Sequence, residues 1–251
     1  MKPVSFFDKY ASEYDWLTNA HARVAGHTKE VEALIERFSP KRVLDAGCAT
    51  GLTASLFASN GIDAVGLDRS RDMLIAAEGK YGSSGLPLQF REGHFESLPK
   101  SMDSSFDLIV CLANAIAGVE SKGNLKKSVD GFRRVLKPGG YLVLQALNIA
   151  ALKDRQIMPV KTTEHDGIMY SRFLERLGNT SVLYVIRIDT RISPAQAELF
   201  RHETVCFTPD LLVQAILGAG FAGVRKYADL TMSKRFSGKA RDIVIVAQRP
   251  R

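Results

Sequence analysis

The sequence predicts an α/β fold: a Rossmann-like, doubly wound, seven-stranded sheet, parallel with one antiparallel edge strand, plus an antiparallel β insert after the fifth strand. From Lys41 to Leu147, short apolar runs alternate with amphipathic segments at the rhythm of strand–helix–strand crossovers. Between residues 149 and 207, longer strand-like runs replace this rhythm around Gly178-Asn179, a pair typical of hairpin turns. The alternation then resumes, so the insert interrupts one α/β unit.

Hydrophobic spacing predicts the first elements of the core. Val31, Leu34, Ile35 and Phe38 lie at helical spacing, and Ser39-Pro40 ends that helix. The predicted elements up to the insert are a helix over 27–38, strands over 41–47 and 63–68, helices over 52–61 and 70–82, strands over 86–93 and 105–114, a helix over 124–136 and a strand over 141–147.

Turn and cap residues bound the remaining elements. Gly61 closes one helix, Ser70 caps the next, and Pro138-Gly139 suits a type II turn. Thr208 is an N-cap with Pro209 at the first helical position. The predicted elements from the insert onward are two or three longer strands, including 167–177 and 180–192, a helix over 209–220, and strands over 224–228 and 242–248.

The pattern divides the chain into three predicted units: residues 1–148 with the N-terminal helices and most of the core, residues 149–207 with the insert, and residues 208–251 with the rest of the core. A length of 251 residues, 45% of them hydrophobic and 24% charged, suits one elaborated domain. No run is long enough for a membrane span, and the charged N-terminal stretch lacks the apolar core of a signal peptide.

Cysteine usage and net charge bear on compartment and partners. Cys48, Cys111 and Cys206 are odd in number and far apart, which predicts no disulfide and a reducing, cytoplasmic environment. The net charge of +7 suits either a polyanion-binding protein or an ordinary basic surface. Because the basic residues are scattered, without an arginine-rich arm, we favour the ordinary surface and expect no nucleic-acid partner.

The stretch VLDAGCATG forms a strand that runs into a glycine-containing turn. A dinucleotide fingerprint would place glycines at Gly47, Ala49 and Leu52, and a Walker loop would need a Gly-Lys-Ser/Thr ending; neither pattern is present. Asp68 ends the second predicted strand, 21 residues after Gly47, where a carboxylate can accept both hydroxyls of a ribose. The turn therefore predicts a nucleoside ligand without a pyrophosphate.

Four motifs in order, VLDAGCATG, GLDRSRDML, FDLIVCLAN and RRVLKPGGYLVL, resemble those of class I S-adenosylmethionine-dependent methyltransferases. The resemblance covers nearly the whole chain. It implies that S-adenosylmethionine is the cofactor, S-adenosylhomocysteine the product, and that no metal is needed. It also implies that residues 1–148 bind the cofactor and that the insert covers the active site. The cofactor-binding residues that it implies are Tyr10, Arg23, Asp45, Gly47, Ala49, Asp68, Arg69, Met73, His94, Phe95 and Leu112.

Within that superfamily the chain is similar to the small-molecule methyltransferases that resemble glycine N-methyltransferase. VCLANAIAGV resembles the family's ICLGNS segment, with Asn114 matching its Asn, so Asn114 would lie between cofactor and acceptor. Arg23, 22 residues before Asp45, matches the family's arginine for the methionine carboxylate. Leu147 stands where the family carries the arginine that binds glycine, so glycine is not the expected acceptor.

The resemblance implies methyl transfer to a small-molecule acceptor by in-line displacement, most simply to an amine nitrogen. Such a reaction needs alignment and exclusion of water more than acid–base groups. A hydroxyl acceptor would need a base, and His202 is the candidate that we place with Asn114 as catalytic. Methylation of RNA, or cofactor binding without catalysis, are the alternatives. The strands of the insert also offer a surface for pairing with a second copy of the chain.

Overall fold

The computed structural model describes residues 6–251, so the first five residues of the predicted N-terminal unit and of the stretch compared with signal peptides lie outside the described residues. The larger sheet has seven strands. They are β1 (Arg42–Ala46), β2 (Asp63–Asp68), β3 (Leu88–Glu92), β4 (Phe106–Cys111), β5 (Leu136–Leu147), β10 (Ala222–Tyr227) and β11 (Asp242–Gln248), with β6 to β9 forming the insert described below.

The strand order is β10-β11-β5-β4-β1-β2-β3, as expected for a doubly wound sheet. The five strands from β5 to β3 are parallel to one another. The reversed strand is β11, which pairs antiparallel with both β5 and β10 and so lies one place in from the edge. The strand order reverses between β1 and β4, whose carboxyl ends lie side by side. This is the position at which open α/β sheets bind ligands.

Helices cover both faces of this sheet, and β4 shows how one strand serves both layers. Leu108 and Val110 pack with α3 and α4, whereas Ile109 and Cys111 pack with α6 and α7. This alternation is the period of two expected for a strand that is buried on both faces. The longer helices are α3 (Ala20–Phe38), α4 (Leu52–Ser59), α5 (Arg71–Tyr81), α6 (Lys122–Val135) and α7 (Pro209–Gly218).

The predicted caps are confirmed. Ser70 Oγ accepts from Met73 N at 3.2 Å, and Thr208 Oγ1 accepts from Leu211 N at 3.2 Å, so each supplies an acceptor for an otherwise unpaired N–H of the first turn. Helix α3 ends at Phe38 and is capped by Ser39, with a φ of +44°, but it begins at Ala20, earlier than the apolar spacing indicated. Residues 20–26 carry no apolar stripe, and their one larger apolar side chain, Val24, is exposed.

The insert is a separate four-stranded antiparallel sheet in the order β6-β7-β8-β9. The expectation of two or three strands was therefore too low. The hairpin at Gly178-Asn179 is confirmed, since β7 ends at Leu177 and β8 begins at Thr180. The two outer strands were the harder ones to recognise because most of their residues are exposed or half-buried and their apolar alternation is weak. The strands are β6 (Ile157–His165), β7 (Ile168–Leu177), β8 (Thr180–Asp189) and β9 (Gln196–Val205).

The N-terminal segment, α1 (Phe6–Lys9) and α2 (Tyr14–Thr18) with the turn between them, joins the insert to the core. Phe6 and Leu17 pack with buried residues of β7 and β8. On its other side, Asp8 accepts a hydrogen bond from Ser70 and Asp15 accepts one from Thr50, both at 2.6 Å. This segment therefore contacts both sheets beside the glycine turn.

The three cysteines are buried and free. Within residues 6–251, no helix is both long enough and apolar enough to cross a membrane.

Candidate active site

The glycine turn after β1 and the loop after β4 meet at the point where the strand order reverses. Gly47 N and Cys48 N both donate to Leu67 O, at 2.8 and 3.0 Å, which joins the turn to β2. Gly47 has a φ of +84°, and a Cβ there would lie 2.5 Å from Ala115 Cβ in the loop after β4. Only glycine satisfies both the backbone conformation and this close approach. Residues 47 and 115 thus form one wall of the site.

Asp68, at the carboxyl end of β2, is held by the backbone of two loops. Its Oδ2 accepts from Ala49 N and its Oδ1 from Ser70 N, both at 2.9 Å. Burial raises the pKa of this carboxyl, while the two N–H groups favour its ionised form. Since a carboxylate oxygen can accept two hydrogen bonds, each oxygen keeps capacity for a ribose hydroxyl.

Ala49 adopts a left-handed conformation, with a φ of +46°. A non-glycine residue there costs about 1 kcal/mol. The hydrogen bond from Ala49 N to Asp68 is one of the contacts that hold it. Alanine in place of the family's frequent glycine is therefore compatible with the turn, at a small cost in stability.

Asp45, on β1, is buried beside the start of α4. It is 2% exposed, and its Oδ2 accepts from Ala54 N at 3.1 Å, which connects β1 to the first turn of α4. Burial raises the pKa of Asp45 to about 7, with a further contribution from the nearby Asp68 charge. At neutral pH this carboxyl is therefore close to its titration midpoint.

Replacing Asp45 with asparagine should remove part of the pH dependence of folding. A carboxyl whose folded-state pKa is raised contributes stability below its unfolded pKa of about 4 and loses it as the pH rises through its folded pKa of about 7. We expect the free energy of unfolding of Asp45→Asn, relative to that of the wild type, to rise by roughly 3 kcal/mol from pH 5 to pH 8. Urea unfolding of the ligand-free protein measures it. Asp63→Asn, on the half-exposed end of β2, is the matched control. Parallel stability curves for Asp45→Asn and wild type would contradict the assignment.

The loop after β4 is fastened to β5 by two side chains. Asn114 Oδ1 accepts from Leu147 N at 3.0 Å, and Gln145 Oε1 accepts from Ala113 N at 3.1 Å. Ala113 and Asn114 both have positive φ angles, +51° and +65°. Two consecutive residues in this conformation are uncommon outside sites where the surrounding structure imposes it. The bond to Leu147 leaves the Asn114 amide NH2 group without a protein partner among the described residues.

The residues expected to flank an adenine differ in burial and in how closely they approach the glycine turn. Phe95 approaches Gly47, with its Cζ 3.3 Å from the position of an added Cβ, and packs on Phe132 at a ring distance of 5.4 Å. Met73 and Leu112 are buried. His94 is exposed at the start of a short 3-10 turn, so its contact with an adenine stays a prediction.

His202, on strand β9 of the insert, lies within electrostatic range of Arg69, which contacts the loop after β4. Arg69 Nη1 donates to Gly118 O at 3.1 Å, in the loop after β4. His202, on β9, lies near enough for the Arg69 charge to act on it; burial and that charge lower its pKa. The imidazole is therefore neutral at pH 7 and can accept a proton. Tyr10, by contrast, donates its hydroxyl to Glu198 on β9 at 2.6 Å, so its role toward the cofactor stays a prediction.

Arg23 lies on α3, exposed, with Tyr14 and Arg172 within range of its charge. Tyr14 was not among the residues selected from the sequence. Its phenol is within electrostatic range of Asp68 as well as of both arginines, and burial raises its pKa. Asp15, which accepts from Thr50, was also missed. Neither residue belongs to a recognisable local motif, because each reaches the site through the packing of the N-terminal segment.

Residues 43–140 match the family model described as a methyltransferase domain. Over these residues the chain is similar to that methyltransferase domain. The match begins at β1 and ends within β5, so it contains the glycine turn, Asp68 and the loop after β4. No group of three or more His, Cys, Asp or Glu side chains among residues 6–251 is arranged to hold a metal ion.

Relatives of this methyltransferase domain differ in the acceptor that their names specify. A glycine/sarcosine N-methyltransferase from Aphanothece halophytica is 26% identical over 59% of this chain and 56% of its own length. A ubiquinone biosynthesis O-methyltransferase from Methylococcus capsulatus is 32% identical over 43% of this chain and 44% of its own length. The chain thus spans about half the length of these two relatives. The fold is similar to that of the CcbJ methyltransferase from Streptomyces caelestis, with a TM-score of 0.77, 19% identity and coverage of 90% of both chains.

Proposed function

We propose that the protein is an S-adenosylmethionine-dependent methyltransferase that acts on an amine nitrogen of a small molecule other than glycine. The observation that carries the proposal is the placement of Asp68 beside the glycine turn, at the point where the strand order of the sheet reverses. A carboxylate there suits a ribose, and the glycine spacing does not suit a pyrophosphate.

The residues of the site fit this cofactor. Asp68 would hold the ribose, the glycine turn would lie against the methionine part, and Phe95 would lie beside the base. When bound, S-adenosylmethionine supplies a methyl group attached to a positively charged sulfur, and the neutral thioether that remains is a good leaving group. What remains for the chain is to align the acceptor and to exclude water. The N-terminal segment and the insert sheet, which pack on each other beside the turn, supply that cover.

The residues expected to face the methyl acceptor favour an amine that is larger than glycine. Leu147 supplies no charge for a small amino acid at the end of β5, and the free NH2 group of Asn114 is a hydrogen-bond donor to an acceptor molecule. An amine needs only to lose one proton, which solvent or the neutral His202 can take.

A hydroxyl acceptor is the second candidate, and the lowered pKa of His202 is the observation in its favour. His202→Gln separates the two. With an amine substrate we expect its turnover to fall by less than tenfold, whereas a hydroxyl substrate would lose 100-fold or more, as is typical of a lost general base. The ratio of turnover rates for the variant and the wild type, measured on the same acceptor, decides between them.

The proposed activity itself is tested by binding and by turnover. S-adenosylhomocysteine should raise the melting temperature, and methyl-labelled S-adenosylmethionine should transfer label to at least one member of a panel of small amines. Saturating S-adenosylhomocysteine with no shift in melting temperature would overturn cofactor binding. Binding without transfer to amines, but with transfer to phenols or sugar hydroxyls, would replace the nitrogen acceptor by oxygen.

A further inference from the structure

Four basic side chains converge where the insert faces the N-terminal helices and the core: Arg23, Lys161, Arg172 and Arg241, here called the cation cluster. Lys161 on β6 and Arg172 on β7 are directly opposite each other in the strand register. Side chains in such a pair lie on the same face, about 5 Å apart at their Cβ atoms. Arg241 joins them from the segment before β11, since its Nη2 donates to Val160 O at 3.3 Å.

Arg23 completes the cluster from α3. Burial lowers the pKa of Arg172, and the charges of Arg23 and Arg241 lower it further. Burial also lowers the pKa of Lys161, followed by the charges of Arg23 and Arg172. Each cation is therefore within electrostatic range of at least one other, and the group draws on three separate parts of the chain.

The cluster has one nearby acid, Asp242, whose carboxyl is within electrostatic range of Arg241 but forms no ion pair with it. None of the ion pairs formed among residues 6–251 includes any of its four members. Arg172 Nε is also buried without a hydrogen-bond partner among the described residues. Two other arginine nitrogens share that condition, but Arg42 and Arg134 lie in ion pairs with Asp63 and Asp103. Arg172 has neither a hydrogen bond at Nε nor an ion pair among the described residues.

Such an arrangement opposes folding on its own. Like charges directly opposite on neighbouring strands are destabilising, and a buried donor without an acceptor loses the hydrogen bond that it had in water. A bound anion would remove both penalties. Arginine is the side chain best suited to the purpose, because its planar guanidinium can bind carboxylate or phosphate through two parallel hydrogen bonds.

Tyr14 places the cluster relative to the proposed cofactor site. Its phenol is within electrostatic range of Arg172, Arg23 and Asp68. The cluster therefore lies near the carboxylate proposed to hold the ribose, with Lys161 and Arg172 supplied by the insert. One of its four charges, Arg23, is expected to bind the carboxylate of the cofactor. Arg172, Lys161 and Arg241 remain.

We propose that Arg172 and Lys161, with Arg241, bind an anionic group of the methyl acceptor, a carboxylate or a phosphate. This inference rests on the proposed function and narrows its substrate class to acidic amines. The anion lies on the insert rather than at the end of β5, where Leu147 stands, so the acceptor must be long enough to reach from the transferred methyl group to β6 and β7.

The test uses Arg172→Gln and Lys161→Gln, with Lys153→Gln as the matched control. Lys153 is an exposed cation of the same insert, and its replacement causes the same loss of charge. Binding of inorganic pyrophosphate and of citrate is measured by calorimetry at constant ionic strength, with and without saturating S-adenosylhomocysteine. We expect both anions to bind the wild type and Lys153→Gln, and each cluster variant to bind at least one of them tenfold or more weakly. The preferred anion distinguishes a phosphate from a carboxylate site.

We expect the cluster variants to fold, because each removes a charge that is repelled by its neighbours. Their melting temperatures in low salt should equal or exceed that of the wild type, and their affinity for S-adenosylhomocysteine should change by less than threefold. The proposal is overturned if the cluster variants lose affinity for S-adenosylhomocysteine and if pyrophosphate competes with S-adenosylhomocysteine for the wild type. Those two results together would show that the cluster binds the cofactor's carboxylate. Absence of anion binding to the wild type would overturn it as well. If S-adenosylhomocysteine fails to bind while the anions still do, the proposed function fails and the anion site stands.

Discussion

Asp68→Ala should weaken the binding of S-adenosylhomocysteine by about 100-fold or more. The carboxylate of Asp68 is held by Ala49 N and Ser70 N at 2.9 Å, with its remaining lone pairs free for a diol. Hydrogen bonds to a charged group contribute roughly 1.5–3 kcal/mol each, and a loss of about 3 kcal/mol is a factor of more than 100 in affinity. Isothermal titration calorimetry with S-adenosylhomocysteine measures this directly.

Asp68 also supports the turn itself, so folding must be separated from binding. Asp68→Asn keeps the shape of the side chain and one acceptor oxygen, and we expect it to lose less affinity than Asp68→Ala. Asp63→Asn, at the other end of β2, changes the same charge far from the turn and should bind as the wild type does. If Asp68→Ala unfolds cooperatively and still binds within threefold of the wild type, the ribose does not lie at this carboxylate.

The core of the fold could be predicted from the sequence because its signals are local. The strand at Arg42–Ala46 is a short segment built around Val43, Leu44 and Ala46, all of them buried. The cap at Ser70 requires only a hydroxyl three residues before the N–H that it accepts from. The same holds for the first half of the site. Gly47 and Asp68 end neighbouring strands, and the parallel register of those strands brings their ends together.

The other half of the site depends on contacts between distant parts of the chain. Tyr14 and Asp15 reach the glycine turn only because the N-terminal segment packs across it, and no spacing within residues 6–19 indicates that. In the sequence Arg172 is one polar residue among several in its strand, and the register that sets it opposite Lys161 belongs to the tertiary structure. Register across a weakly alternating strand such as β6 is poorly specified by sequence pattern alone.

The segment that carries Tyr14 is attached to the insert by one buried group of charges. Arg187, on β8, is 8% exposed and donates through Nε and Nη2 to the two carboxylate oxygens of Glu13, at 2.9 and 3.0 Å. Tyr170 also donates to Glu13, and Arg187 reaches Asp189 at 3.3 Å. Burial alone would raise the pKa of Glu13, but the hydrogen bonds from Arg187 and Tyr170 outweigh it and the pKa is lowered. The ionised form of Glu13 is therefore the one that the folded protein stabilises.

Arg187→Leu should lower the free energy of unfolding by about 2–3 kcal/mol, because it leaves the Glu13 carboxylate half-buried without its cation. The pair keeps some exposure, so the loss is smaller than for a fully buried pair. Urea unfolding at pH 7 measures the loss. Arg201→Leu, which removes an exposed cation paired with Glu203 two residues further along β9, is the matched control and should change stability little.

The pH dependence of the same variant tests the cause of that loss. A carboxyl with a lowered folded-state pKa contributes stability above its unfolded pKa of about 4.5 and loses it as the pH falls through its folded pKa. The stability difference between wild type and Arg187→Leu should therefore shrink as the pH falls below about 4.5, because the unfolded chain takes up a proton at Glu13 before the folded wild type does. Limited proteolysis should at the same time cut Arg187→Leu first within the N-terminal segment, since Glu13 attaches that segment to β8. A stability difference that is independent of pH, with cleavage spread over the insert, would mean that Arg187 acts by packing within the sheet and not by holding the segment over the site.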